Sequence, residues 1–246
     1  MNNIYVYDQE LSGRRYQKLL EQLETRLTDL GIGGKIYRLG PMTSVESMAR
    51  EELARHPKTL VAVGGDILIS RLAGLMAGSK TPLGIIPLGK SMIADAFGIN
   101  LESACRALAA RRIINLDVGK IDNQQFFVCR AVIEAKDPTL VLDNKINVFA
   151  AGKVTIEIVN AMGDEYGYRG AQPSADDGQL NVYILKTESG ILKKDISQSA
   201  FVCRKILIKS GLIKAVVDGG IAVTGVSEIE VVPKIFSAIV GKDRKF

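Results

Sequence analysis

A single histidine, His56, occurs in the 246 residues. A metal site built from several imidazoles is therefore excluded. His56 precedes Pro57, between a helix-like and a strand-like stretch, and reads as a surface turn residue. A Ser-His-Asp triad would have to use it, and its surroundings carry no such pattern. Cysteine is almost as scarce. Cys105, Cys129 and Cys203 are odd in number, far apart and without a CxxC pair. That excludes a disulfide framework and a thiolate zinc site. No apolar run approaches the ~18–20 residues that span a bilayer. The opening MNNIYVYDQE has no basic segment followed by an apolar one, so no signal peptide is expected. The expectation is a cytoplasmic protein, with peripheral attachment to a membrane as the alternative.

What is present is ordinary for a folded domain. Hydrophobic residues make up 47% and charged residues 24%, which excludes disorder over most of the chain. The length suits one large domain or two small ones. The net charge of +5 is spread out and is densest at Lys193-Lys194, Arg204-Lys205 and the tail Lys242-Asp243-Arg244-Lys245. Solvated faces account for these patches most simply. Attraction to nucleotide phosphates or to an anionic membrane is the sharper reading. No basic stripe interleaves with aromatics, so nucleic acid is not an expected partner.

The first half alternates strand and helix. Residues 4–7 and 35–39 read as short strands. Between them Tyr16, Leu19, Leu20, Leu23, Leu27 and Leu30 recur at helical spacing from Arg14 onward, until Gly31 stops the helix. Ser44 is placed to cap a helix carrying Val45, Met48, Ala49 and Leu53. Residues 59–63 and 83–87 are nearly all apolar, as buried parallel strands are. The first ends in Gly64-Gly65-Asp66, with a helix expected over 68–77. The second turns at Leu88-Gly89, with helical material to about residue 110. Strands separated by helices imply a parallel sheet covered on its faces.

The second half changes character. Residues 113–121, 125–130, 145–149, 154–160, 180–185, 216–218 and 229–232 read as strands, most of them parted by Gly, Asp or Asn. Only 197–209 reads as a helix. The expected fold class is thus α/β: an N-terminal parallel-sheet domain of nucleotide-binding type over 1–115, then a β-sandwich domain over 116–246. The final segment is expected to pack back on the first domain.

Two turns stand out chemically. Glycines in Gly64-Gly65-Asp66 let the backbone turn sharply and approach a ligand. The following helix offers its N-terminus to an anion. A second glycine turn, Pro87-Leu88-Gly89-Lys90, follows the neighbouring buried strand. Such turns at adjacent carboxyl ends of a parallel sheet form a crevice where phosphates bind. Each turn is equally well explained by packing alone.

The stretches TLVAVGGDILIS, TPLGIIPLGKSMIADAFGI and IINLDVGKID resemble the catalytic domain of the diacylglycerol kinase family. That family includes sphingosine-kinase-like and bacterial lipid kinases and is related to NAD kinases. Later segments agree in order: PSADDGQLNVYIL, VVDGG and IEVVPKIFSAIVGKDRKF. The resemblance implies an α/β nucleotide-binding domain, a C-terminal β-sandwich and a cleft between them. It implies ATP and Mg²⁺ as cofactors and a lipid substrate or a membrane surface as partner, and it leaves room for a homodimer. Gly64, Gly65, Asp66, Gly89 and Lys90 would hold the nucleotide.

This chain departs from the pattern at three places. The family's first loop reads Gly-Gly-Asp-Gly-Thr, and here Ile67 and Leu68 replace its last two residues. Ile67 is β-branched, which restricts the backbone and blocks close approach. The second loop reads Gly-Thr-Gly-Asn-Asp in the family and Gly89-Lys90-Ser91-Met92-Ile93 here. Lys90 supplies a point charge rather than a shaped cradle. The family's N-terminal Asn-Pro-x-Ser-Gly is echoed only by Ser12-Gly13. Its Asp-Gly-Glu, whose carboxylates take the proton of the lipid hydroxyl, is Asp218-Gly219-Gly220 here. Asp218 is either the remaining base or a turn residue.

One family feature is intact in sequence. Within Pro173-Ser174-Ala175-Asp176-Asp177-Gly178-Gln179, a structural Mg²⁺ would take the Asp177 carboxylate and the backbone carbonyls of Ser174 and Gln179. An Asp-Gly turn without metal is the alternative. Among smaller candidates, Asp164-Glu165 is placed to pair with Arg169 or Lys153. Tyr166 and Tyr168 share a face, and Cys129 reads as a small buried apolar residue.

Two functions remain. One is an ATP-dependent lipid kinase with Asp218 as base. The other is a non-catalytic relative that binds a lipid, nucleotide or protein partner. Losses at both loops and at the Glu position favour weakened or absent activity, since phosphoryl transfer is mainly positioning and charge stabilisation. A dinucleotide dehydrogenase is disfavoured by the lack of GxGxxG after the first strand. A NAD kinase is disfavoured by Met92 and Ile93, where that family carries Asn and Glu.

Overall fold

The computed structural model describes residues 2–122, 125–162, 172–189, 194–209 and 211–246. Lys193 and the group Asp164, Glu165, Tyr166, Tyr168 and Arg169 lie outside the described residues. Contacts divide the chain into two compact units. The first holds residues 1–116 and 235–245, and the second holds 117–234 and 246.

The first unit begins with β1 (Asn3–Tyr7), two 3₁₀ turns and α1 (Gln17–Asp29), followed by β2 (Gly34–Arg38) and α2 (Val45–Ala54). It continues through β3 (Thr59–Gly64), α3 (Asp66–Met76), β4 (Leu83–Pro87), α4 (Met92–Ala96) and α5 (Leu101–Ala110). The strands run parallel in the order β2-β1-β3-β4. Every residue of β3 and β4 is buried, as strands covered on both faces must be. Helix α1 buries Leu20, Leu23 and Leu27, one stripe at helical spacing. Ser44 caps α2 by accepting from the Ser47 N–H at 3.1 Å. A Cβ on Gly84 would stand 2.4 Å from Leu108 Cδ2, so α5 lies directly on β4 because that position has no side chain.

Two boundaries differ from the sequence expectation. The turn of Arg14–Tyr16 is 3₁₀, and the α-helix starts only at Gln17. Helix α3 starts at Asp66, earlier than the apolar pattern suggests, because extended Gly65 serves as its N-cap and places Asp66 in the first turn.

Strand β5 (Ile113–Ile121) leads into the second unit. There follow β6 (Gln125–Phe127), β7 (Arg130–Lys136), β8 (Thr139–Leu142), β9 (Ile146–Phe149), β10 (Lys153–Val159), β11 (Leu180–Ser189) and β12 (Lys194–Cys203). The chain then forms β13 (Lys205–Lys209), β14 (Lys214–Val217), β15 (Ile221–Thr224) and β16 (Glu228–Ile239), whose end belongs to the first unit. One antiparallel sheet has the order β12-β11-β10-β7-β14-β15. Facing it, β9, β8, β13 and the start of β16 are paired in that order, all antiparallel. Ile133, Ile156, Val182 and Ala215 of the first layer share one core cluster with Leu140, Leu142, Ile206 and Ile229 of the second. This is a β-sandwich.

The helix expected over 197–209 is replaced by β12 and β13. Val182 pairs with Phe201 in one layer, and Ile206 pairs with Leu142 in the other. The chain changes layer at Arg204, which resets the two-residue alternation. Cys203 and Ile206 are both buried, three residues apart, and so imitate helical spacing. Among the described residues, no helix is long and apolar enough to cross a membrane.

Candidate functional site

Strand order places a topological switch between β1 and β3, where successive connections leave in opposite directions. The carboxyl ends of these strands meet closely. The Asp8 N–H donates to Val63 O at 2.9 Å, and the Leu88 N–H donates to Gly64 O at 3.2 Å. A Cβ on Gly64 would sit 2.7 Å from Asp8 Cβ and 2.9 Å from Asp8 Oδ2. This glycine is therefore required by packing against Asp8. A Cβ on Gly65 would meet nothing within 4 Å.

Asp66 joins the two glycine turns. Its Oδ1 accepts from Ser91 Oγ at 2.5 Å and from the Ile93 N–H at 3.3 Å, and its Oδ2 accepts from the Met92 N–H at 2.8 Å. The loops carrying Gly64, Gly65, Asp66, Gly89 and Lys90 are thus brought together. Gly89 has φ +105°, a conformation that favours glycine, and Lys90 is exposed beside it. Leu68, Met92 and Ile93 are buried, while Ile67 is 48% exposed. Ser12 spends its hydroxyl on Gln9 O at 2.8 Å. With Gly13, Tyr7, Asp8, Arg14 and Arg38 it lines a cavity of about 460 Å³.

Asp218 sits in a tight turn of the second unit with φ +44° and is buried. Its Oδ1 accepts from the Cys129 N–H at 2.8 Å and the Arg130 N–H at 3.1 Å, and its Oδ2 accepts from the Val128 N–H at 2.9 Å. The carboxylate holds the bend between β6 and β7. Buried Asn160 continues this network, its side-chain amide donating to Val128 O at 2.8 Å and to Asp117 O at 2.9 Å.

Asp117 leads on to the turn that carries Ser174, Asp177 and Gln179. It is buried and accepts from the Gly178 N–H at 2.6 Å and the Lys234 N–H at 2.8 Å. Asp177 Oδ1 accepts from the Gln179 N–H at 2.9 Å, while Ser174 Oγ donates to Asp176 at 2.6 Å. Burial, together with the charges of Asp117 and Asp176, raises the Asp177 pKa. A bound cation would relieve that crowding, so the oxygen donors here fit Mg²⁺ in chemistry. Among the described residues, no cluster of three or more acidic, His or Cys side chains is placed to hold a metal, so such a site would draw on backbone carbonyls beside Asp177. The first loop pair fits ATP less well, because the residues that replace the family's polar groups are apolar.

Asp8, Asp117 and Asn160 were not foreseen as structural anchors. The sequence signal for Asp117 is a lone acid in the apolar run INLDVGKI, which marks a buried, paired carboxylate.

The model of the diacylglycerol kinase catalytic domain matches residues 4–121. That match covers a little under half of the chain. A solved structure described as a diacylglycerol kinase from Bacillus anthracis resembles the whole chain. Its TM-score is 0.75 at 15% identity, over 99% of this chain and 98% of that one. Another structure from the same organism, described as a candidate diacylglycerol kinase, gives 0.75 at 14% identity over the same shares. These likenesses show a shared fold. Comparison with curated proteins gives no match.

Proposed function

We propose that this chain is a non-catalytic diacylglycerol-kinase-like protein, a fold of the lipid kinases kept for binding rather than for phosphoryl transfer. One observation carries the reading. The family's first loop ends in Thr and its second in Asn-Asp, and the residues here, Leu68, Met92 and Ile93, are buried core side chains. Groups that would grip phosphate have become packing. Asp218 supports the same reading, because its oxygens hold three backbone amides and the Glu that accompanies this Asp in the family is Gly220.

ATP supplies the transferable phosphoryl group in this family. Asp177 with the carbonyls of Ser174 and Gln179 would hold the family's structural Mg²⁺. A second reading, a weakened lipid kinase using ATP, rests on exposed Lys90 beside Gly89 at the mouth of the two loops.

Titration calorimetry with ATP and Mg²⁺, paired with transfer of labelled phosphate to diacylglycerol in mixed micelles, separates the two. The expected result is no transfer, and no saturable ATP heat that Lys90→Ala at the glycine loops removes. Turnover that disappears in Asp218→Asn, with the fold intact, would overturn the proposal and make Asp218 the base.

A further inference from the structure

Helix α5 carries Ser103, Arg106, Ala107 and Ala110 along one face, at helical spacing. The two alanines leave space beside the chain that follows β16. With Arg112, Lys242 and Asp243 they line a cavity of about 420 Å³. Its walls are fixed by main-chain contact. The Gly241 N–H donates to Phe97 O at 2.9 Å, the Val240 N–H to Arg112 O at 3.0 Å and the Lys245 N–H to Ala96 O at 3.0 Å. A Cβ on Gly241 would lie 2.0 Å from Gly98 O, and one on Gly98, whose φ is +67°, would lie 2.4 Å from the Asp243 carbonyl carbon. The basic tail is held against the α4–α5 connection by backbone touching backbone.

Charge in this hollow is one-sided. Arg106, Arg112 and Lys242 face a single acid, Asp243. Among the described residues none of the three cations forms an ion pair, whereas Arg38 and Arg55 of the same unit are bound to Glu24, Glu51 and Glu52. Ser103 is committed to the helix cap, donating to Asn100 O and accepting from the Asn100 N–H. Three exposed, unpaired cations line this hollow, and an anion placed among them is attracted to all three. Guanidinium forks match phosphate oxygens in pairs.

We propose that this cavity binds a phosphate group carried by a small soluble molecule. Its volume lies within the roughly 300–1,000 Å³ typical of small-molecule pockets. Ala107, Ala110 and Val240 supply an apolar wall for the rest of the ligand. A lipid headgroup carries the same chemistry, but a membrane-docking face needs exposed apolar side chains to insert, and none of the large exposed ones lines this hollow. The site shares no residue with the two glycine loops.

The test is calorimetric titration of the full chain with sodium pyrophosphate at low ionic strength, beside co-sedimentation with phosphatidylglycerol vesicles. The expected result is saturable binding of one equivalent, weakened by added salt and by about tenfold or more in Arg106→Ala/Arg112→Ala. Lys90→Ala, at the glycine loops, should leave it unchanged. If the double variant melts lower than the parent, Lys242→Gln on the tail replaces it and should weaken binding several-fold. Absence of saturable binding overturns the proposal. So does equal affinity in the cavity variants, loss in Lys90→Ala alone, or attachment to vesicles without binding of free pyrophosphate.

Discussion

Asp66, in the first turn of α3, holds the backbone nitrogen of Met92 at 2.8 Å, 26 residues further along the chain. The same carboxylate also takes the Ser91 hydroxyl and the Ile93 N–H, so it ties the second glycine loop to the first. Asp66→Ala leaves these donors without an acceptor in a half-buried place. It should destabilise the chain by about 2–3 kcal/mol, since orphaned donors to a charged partner are costly. Lys90→Ala, exposed on the same loop, should change stability by less than about 0.5 kcal/mol. Urea unfolding of both variants checks the contrast.

The paired glycines of the first loop do different work. Gly64→Ala forces a methyl to within 2.7 Å of Asp8 Cβ and should cost about 1–3 kcal/mol. Gly65→Ala meets open space and extended backbone, so its melting temperature should stay near that of the parent. Equal losses in thermal melts would contradict this division.

Glu52 of α2 is buried and accepts from Lys35 Nζ at 2.9 Å, Tyr37 Oη at 2.5 Å and Arg55 Nη1 at 2.7 Å, all through Oε1. Burial pushes its carboxyl up, but the hydrogen bonds of Tyr37 and Lys35 and the charges of Lys35 and Arg55 outweigh burial and leave it lowered. A lowered folded pKa contributes stability that is complete above the ordinary glutamate value. It is lost as pH falls through the folded value. The stability advantage of the parent over Glu52→Gln should therefore hold at neutral pH and shrink steadily below about pH 4. Denaturant midpoints across that range measure it.

Asp177 has the opposite sign. Burial first, then the charges of Asp117 and Asp176, raise its carboxyl, so its charged form is disfavoured in the fold. Asp177→Asn, which keeps an acceptor for the Gln179 N–H, should raise the melting temperature at neutral pH in the presence of a chelator. The difference should vanish once pH falls below the ordinary aspartate value, where both states are protonated. Millimolar Mg²⁺ should stabilise the parent and leave Asp177→Asn unchanged. A melting temperature of the parent that ignores Mg²⁺ would remove the metal from this turn.

Much of the α/β unit is legible from periodicity. The buried runs over 59–63 and 83–87 and the Ser44 cap follow from apolar pattern and capping chemistry, both local. The sandwich is legible where one strand stays in one layer, as over 154–160 and 180–185. It is not legible at Arg204, where the layer change shifts the phase of burial. At the candidate site, the glycine turns are visible in the sequence because glycine marks a backbone need. The partners of the carboxylates are not, because Asp66, Asp117 and Asp218 accept from amides 26 to 117 residues away.

The sequence by itself determined the alternation of strand and helix, the glycine-marked ends of β3 and β4, the likeness to the diacylglycerol kinase catalytic domain and the loss of polar residues from its loops. These are local properties, written in spacing and side-chain type. Tertiary structure alone decided that Leu68, Met92 and Ile93 are core. It alone decided that Asp218 secures the bend at 128–130, and that the basic tail closes a cationic hollow against α5. Each of these depends on which distant backbone a side chain meets, and a carboxylate or a lysine has the same formula whether it serves chemistry or packing.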